Sequence, residues 1–146
     1  MSEDLKKFII ENSDEIFCTG GISDEKIEKI EIDLQVKLPN EYRAFLKEYG
    51  MLIGFGVEIF GYGKNDIISV SRETKRFRDL GLEKNHIVIQ NCDEWIYCIK
   101  LSEELEKCPV ISWDRGNTAP LEVSSSFNKY LYSALLDGKA IWDEDE

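Results

Sequence analysis

The sequence predicts an α+β fold: a single domain with N-terminal helices packed on a mainly antiparallel sheet, and a C-terminal helix. Three observations predict it. Apolar residues recur at three- and four-residue spacing as far as Tyr49, short apolar runs of strand type follow from Val57 to Trp113, and helical spacing returns at Phe127. The chain has 146 residues, and folding at that size buries about 69% of the extended-chain surface, enough for one core. At 42% hydrophobic and 11% aromatic it is too rich in core-forming side chains to stay disordered. Residues 1–138 are expected to form the domain and 139–146 an acidic tail.

The elements follow in order. Leu5, Phe8 and Ile9 set an apolar stripe, so a first helix runs from about Ser2 to Asn12. A turn at Cys18-Thr19-Gly20-Gly21 closes that unit. Ser23 is a good N-cap, with Asp24 and Glu25 in the first turn, where the helix dipole favours anions. Ile22 and Ile27 stand at hydrophobic-staple spacing, and Ile27, Ile30 and Leu34 carry this second helix from about Asp24 to Leu34. Leu38-Pro39-Asn40-Glu41 begins a third, because proline is tolerated where the N–H is unsatisfied anyway. Tyr42, Phe45, Leu46 and Tyr49 give it one apolar face, and Gly50 supplies the left-handed residue that ends it.

After Gly50 the period changes. Val57 and Ile59 alternate between glycines, which suggests a strand, and a short basic helix follows from Ser71 to Leu80. His86 to Asn91, Trp95 to Leu101 and Pro109 to Trp113 are three further strands. Cys92-Asp93-Glu94 is short enough to join the first two as a hairpin. The last helix spans about Ser126 to Leu136, with Phe127, Tyr130, Leu131 and Leu135 on one face and Gly138 closing it.

Twenty-nine acidic against 18 basic side chains leave a net charge of −11. Such a surface repels phosphate backbones and anionic headgroups, and it steers basic proteins toward itself. The charged start Met1-Ser2-Glu3-Asp4-Leu5-Lys6-Lys7 is not expected to act as a signal peptide, and no apolar run approaches the ~18 residues that cross a bilayer. A cytoplasmic protein is expected. Cys18, Cys92, Cys98 and Cys108 form no C-x-x-C pair and are read as reduced thiols acting as small apolar side chains. A site using all four thiolates stays arithmetically open, although the spacings do not resemble known zinc modules.

The search for chemistry finds little. His86, the single histidine, heads the apolar strand His86-Ile87-Val88-Ile89 and reads as a packing residue. Gly56 and Gly61 have phosphate-loop spacing, but Tyr62 and Gly63 stand where Lys and Ser or Thr are required. Arg72, Lys75, Arg76 and Arg78 form a local basic cluster, read as a solvated helix face paired with nearby acids. Asp93-Glu94 and Asp114 are the only acids flanked by strand-borne aromatics, Trp95 and Trp113. A hydrolase built on two carboxylates would need a defined separation in a cleft. The tail Trp142-Asp143-Glu144-Asp145-Glu146 reads either as a solubilising terminus or as carboxylates beside an indole anchor for a basic protein patch.

The order Ile27-x-x-Ile30-Glu31, Leu38-Pro39-x-x-Tyr42-x-x-Phe45-Leu46-x-x-Tyr49-Gly50 resembles the SUKH superfamily, named after fungal cell-wall-synthesis regulators of the Smi/Knr type. Gly61, the strand pairs and Pro109-Val110-x-x-Trp113-Asp114 look like the same family's second half, and with the Trp-acidic tail the chain looks close to the YobK-like bacterial branch. The resemblance implies an α+β fold without enzymatic activity and without a cofactor. It implies an immunity protein, or antitoxin, that binds and neutralises a cognate polymorphic or LXG-type toxin, often a nuclease. A regulatory scaffold of the fungal kind is the alternative. Leu38, Pro39, Tyr42, Phe45 and Leu46 would then be core. The family supplies no fixed contact set, so the expected partner-binding residues rest on physical grounds: Asp93, Glu94, Trp95, Tyr97, Trp113, Asp114 and Trp142. Carboxylates would occupy a basic nuclease cleft where phosphates would sit, and aromatics would supply desolvated anchors. No catalytic residue, metal ligand, direct nucleic-acid contact or membrane contact is expected.

Overall fold

The apolar stripes at helical spacing are the core. The computed structural model describes residues 3–116 and 119–144, and in it Leu5, Ile9, Ile27, Ile30, Leu34, Tyr42, Phe45, Leu46, Phe127, Leu131 and Leu135 are all buried. They belong to α1 (Glu3–Glu11), α2 (Asp24–Leu34), α3 (Asn40–Glu48) and α5 (Phe127–Glu144). α4 (Ser69–Arg78) is the basic helix. Ser2, the expected start of the first helix, and Asp145 and Glu146 of the tail lie outside the described residues.

The strands form two antiparallel sheets. The first orders β1 (Ile16–Cys18), β2 (Leu52–Gly54) and β3 (Val57–Ile59); the second orders β4 (His86–Asn91), β5 (Ile96–Lys100), β6 (Val110–Trp113) and β7 (Leu121–Ser124). This is the α+β architecture that the sequence predicts. Strands β1, β2 and β7 are additions to it. β1 (Ile-Phe-Cys) and β2 (Leu-Ile-Gly) show no apolar–polar alternation, whereas the Leu121-Glu122-Val123 alternation of β7 is of the same kind as that in β3.

Local chemistry sets the helix ends. Ser23 caps α2, its Oγ accepting from the N–H of Lys26 at 3.3 Å. Glu31, near the end of α2, accepts from the Leu38 N–H and from Arg43, both at 2.8 Å, which fixes the corner leading into α3. Gly50 follows α3 at φ +75°, in the left-handed region that ends helices. The expectation that Gly138 closes the last helix is corrected: α5 continues through it to Glu144. A Cβ at Gly138 would stand 2.7 Å from the Phe55 carbonyl oxygen. The glycine therefore serves a close approach between α5 and the β2–β3 turn.

That turn is Phe55-Gly56, both at positive φ (+51° and +78°), between the paired Gly54 and Val57. Two such residues make a primed hairpin turn, the reason this glycine-rich stretch is a corner rather than an anion cradle.

The sheets are joined just after β3. Phe60 donates its N–H to Ile89 of β4 at 2.8 Å, and its carbonyl accepts the buried Tyr42 hydroxyl at 2.7 Å. The β4–β5 register shifts between Val88 and Gln90, and the Val88 N–H is taken by Thr74 of α4 at 2.9 Å. Next door, a Cβ at Gly61 would lie 1.9 Å from the Gly50 carbonyl oxygen. Gly61 also donates to Ser69 Oγ at 3.0 Å and accepts from the Val70 N–H at 3.2 Å, so it holds the start of α4. Tyr42→Phe should cost about 1–3 kcal/mol, since it strands a buried carbonyl. Urea unfolding should show a lower midpoint with unchanged slope, and Gly61→Ala should lower the midpoint further.

Candidate functional site

The β4–β5 connection is a built turn. Asn91 Oδ1 accepts from the Asp93 N–H at 2.8 Å, Glu94 donates to the Cys92 carbonyl at 2.8 Å, and Cys92 donates to that of Trp95 at 2.9 Å. Asp93 takes φ +68°, and both acids point into solvent. One strand over, Trp113 ends β6 opposite Ile96. Asp114 Oδ1 accepts from the Gly116 N–H at 2.9 Å, which fixes the carboxylate beyond the strand end.

Five of the seven expected residues meet. Asp93, Glu94, Trp95, Trp113 and Asp114 line one cleft of about 240 Å³, closed on the far side by Arg76 and Phe77 of α4 and by Leu80 just after it, with Arg115 beside Asp114 as a second cation in the wall. The Phe77 and Trp113 rings stack edge-to-face at 6.1 Å and 83°, giving the cleft an apolar wall. Among the described residues, the Asp93 and Glu94 side chains form no salt bridge. Arg76 is engaged by Glu73 at 3.1 Å. The α4 residues were missed because the basic cluster was read apart from the strands; the helical offset of Phe77 from Val70 and Thr74 was the available signal.

The other two residues lie elsewhere. Tyr97 faces the opposite side of the sheet, against Tyr130 of α5 at 5.1 Å, in a second cleft of about 590 Å³. Trp95 bridges the two sides, lining the first cleft and meeting the Tyr97 ring edge-on at 6.3 Å. Trp142 sits on α5, its ring against Phe55 at 6.0 Å, outside the first cleft.

Carboxylates beside aromatic rings accept cations. The two nearby thiols, Cys92 and Cys98, favour their neutral forms. Burial raises the Cys92 thiol, with the Asp93 carboxylate adding to it, and burial pushes the Cys98 thiol up to about 12. Both are poor nucleophiles at neutral pH. Of the four cysteines, Cys98 and Cys108 are buried, whereas Cys18 and Cys92 are only partly covered. His86 is buried with Nδ1 unpartnered, and desolvation lowers its pKa, opposed by Glu83 and assisted by Lys100. No three His, Cys, Asp or Glu side chains group as a metal site among the described residues.

The basic cluster is a structural brace. Lys75 pairs with Asp33 of α2 at 2.6 Å, and Arg72 and Arg76 flank Glu73. Arg78 departs from the solvated-face expectation. It donates to the Leu34 carbonyl at 2.9 Å and to that of Lys84 at 3.0 Å, satisfying the open C-terminal end of α2.

A family model, SUKH_5, described as SMI1-KNR4 cell-wall, matches residues 1–136. The chain belongs to the SUKH family. That family includes immunity proteins that bind protein toxins, as well as regulators. The matched span contains both cleft-forming turns and stops before Trp142. Leu38, Tyr42, Phe45 and Leu46 are fully buried and Pro39 is buried, so this SUKH signature builds the core. No helix among the described residues is long and apolar enough to cross a membrane.

His86 yields a pH dependence. Its folded pKa lies below the ordinary 6.5, so the unfolded chain binds more protons as the pH falls through that value. Stability should be full above about pH 7.5 and decline as the pH drops below 6.5 toward the lowered folded value. His86→Gln should flatten that part of a stability-against-pH curve measured by urea unfolding; an equally steep curve would exclude His86 as the source.

Proposed function

We propose that this SUKH protein is a cytoplasmic immunity protein that neutralises a cognate protein toxin by covering a basic active-site surface. The observation that carries the reading is the convergence of Asp93, Glu94 and Asp114 with Trp95 and Trp113 on one cleft of a chain with net charge −11. A nuclease toxin of the polymorphic or LXG type presents a basic groove for nucleic acid. Carboxylates there stand in for phosphates, while the rings supply anchors that become desolvated on docking. Long-range attraction speeds encounter and makes the association rate fall with salt. The chain needs no turnover chemistry for this, no cofactor and no direct contact with nucleic acid. The YobK-like resemblance belongs to the same reading.

The family's description as SMI1-KNR4 cell-wall favours a second reading, a non-enzymatic regulatory scaffold. Co-expression with the toxin encoded beside the gene separates the two. Rescue of growth and a co-purifying complex are expected from immunity; neither would occur for a scaffold with other clients. Asp93→Asn, Glu94→Gln and Asp114→Asn together should weaken the complex at least tenfold at low salt and less at high salt, read by surface plasmon resonance. Unchanged binding would remove this cleft from the interface.

A further inference from the structure

The cleft at the end of α4 carries cations of its own, and one of them is tied. Arg76 and Arg115 line it together with Asp93, Glu94 and Asp114. Arg76 lies one helical turn beyond Glu73 and is held to it, Nη1 donating to Oε1 at 3.1 Å. Arg72 approaches the other oxygen of the same carboxylate through Nε at 3.4 Å. Among the described residues, none of Asp93, Glu94, Asp114 and Arg115 forms an ion pair. The cleft's carboxylates thus stand unpaired beside a guanidinium that belongs to the same wall.

Glu73 is costly where it sits. Its side chain is only 10% exposed, on a helix whose Val70 and Thr74 are fully buried. A carboxylate taken out of water gains little net stability from ion pairs, because desolvation offsets the attraction. Glutamine would fill nearly the same space without that penalty. What the charge supplies is a fixed place for Arg76. The Arg76 side chain is 58% exposed, free to turn elsewhere once released. Its guanidinium also lies over the Phe77 ring at 5.1 Å, so two contacts on α4 hold it. Three carboxylates facing Arg115 alone leave the wall acidic, and a freed Arg76 among them would take up much of that charge. A partner's cation would then have to displace Arg76 before docking, in a weaker steering field.

We propose that Glu73 is a positioning residue: it holds Arg76 away from Asp93 and Glu94, so that these carboxylates stay open to a Lys or Arg side chain of the toxin. The inference rests on the immunity reading and concerns how the cleft of that reading is kept open. Asp79, exposed and one turn beyond Arg76, is the other acid that a freed Arg76 could reach.

The test compares Glu73→Gln, Arg76→Gln and the double variant of the full chain. In a crystal structure of the Glu73→Gln chain alone, Arg76 should stand within salt-bridge distance of Asp93 or Glu94. Arg76 still lying along α4, or paired with Asp79, would overturn the proposal. Against the toxin domain encoded beside the gene, stopped-flow at low salt should show Glu73→Gln slowing association about threefold or more, and Arg76→Gln added to it restoring at least the wild-type rate. Glu58→Gln, which removes the same charge from an exposed position on the other sheet, should slow it less than about twofold. A merely structural Glu73 would leave the double variant as slow as the single, and that result would also overturn the proposal. Arg76→Gln alone alters an exposed side chain, so it folds even where Glu73→Gln melts early. Its association should be as fast as wild type or faster; a slower rate would make Arg76 a contact residue and overturn the proposal. Each of these failures leaves immunity standing. A wild-type chain that binds no toxin overturns both.

Discussion

Where the chain leaves the three-stranded sheet, Phe60 is held from both sides: its carbonyl accepts the buried Tyr42 hydroxyl, and its N–H reaches Ile89 of the four-stranded sheet. The Tyr42 ring meanwhile lies 5.7 Å from Phe45 and 5.2 Å from Phe127, tying α3 to α5. One side chain thus couples the helical layer, the last helix and the junction of the two sheets. The next residue, Gly61, can approach the Gly50 backbone only because it has no Cβ. A larger residue would push α4 away from the sheet, and the cleft at its end would not close.

The cleft is therefore an outcome of how α4 is docked. Ser69 holds the helix start to Gly61, Thr74 takes the free N–H at the β4 irregularity, and Arg78 satisfies the end of α2. With three polar fixtures along ten residues, Phe77 arrives against Trp113 in a defined geometry. The exposed acids need no such fixing. In the proposed docking their role would include long-range steering, which tolerates mobile side chains, whereas anchors work only when their rings are already placed.

Much of this was legible in the chain itself. α2 runs from Asp24 to Leu34 as read from Ser23 and the Ile27-Ile30-Leu34 stripe, and β4 runs from His86 to Asn91 as read from its apolar run. What escaped had physical reasons. Strands β1 and β2 take their identity from pairing, since Ile-Phe-Cys and Leu-Ile-Gly carry no alternation, while β7 had a short Leu-Glu-Val alternation of the kind that marked β3. Gly138 carries the composition of a helix stop but serves packing against Phe55. Within the site, the acids and tryptophans at 93–95 and 113–114 did converge, because adjacent antiparallel strands bring the β4–β5 turn beside the end of β6. Tyr97 parted from Trp113 because their strand positions put them on opposite faces of the sheet, a parity that follows from the Ile96–Trp113 register.

The molecule is thus read as one that acts by occupation. Its membership in the SUKH family, its charge and its aromatic turns all bear on what it can cover, and Cys92, Cys98 and the buried histidine lean toward their neutral forms. Titrating the purified chain into a fixed amount of toxin, with toxin activity as the readout, tests this most directly. Occupation predicts toxin activity that falls linearly and reaches zero at one equivalent. Complete inactivation by a few hundredths of an equivalent would mean that the chain turns over its target, and would contradict the account.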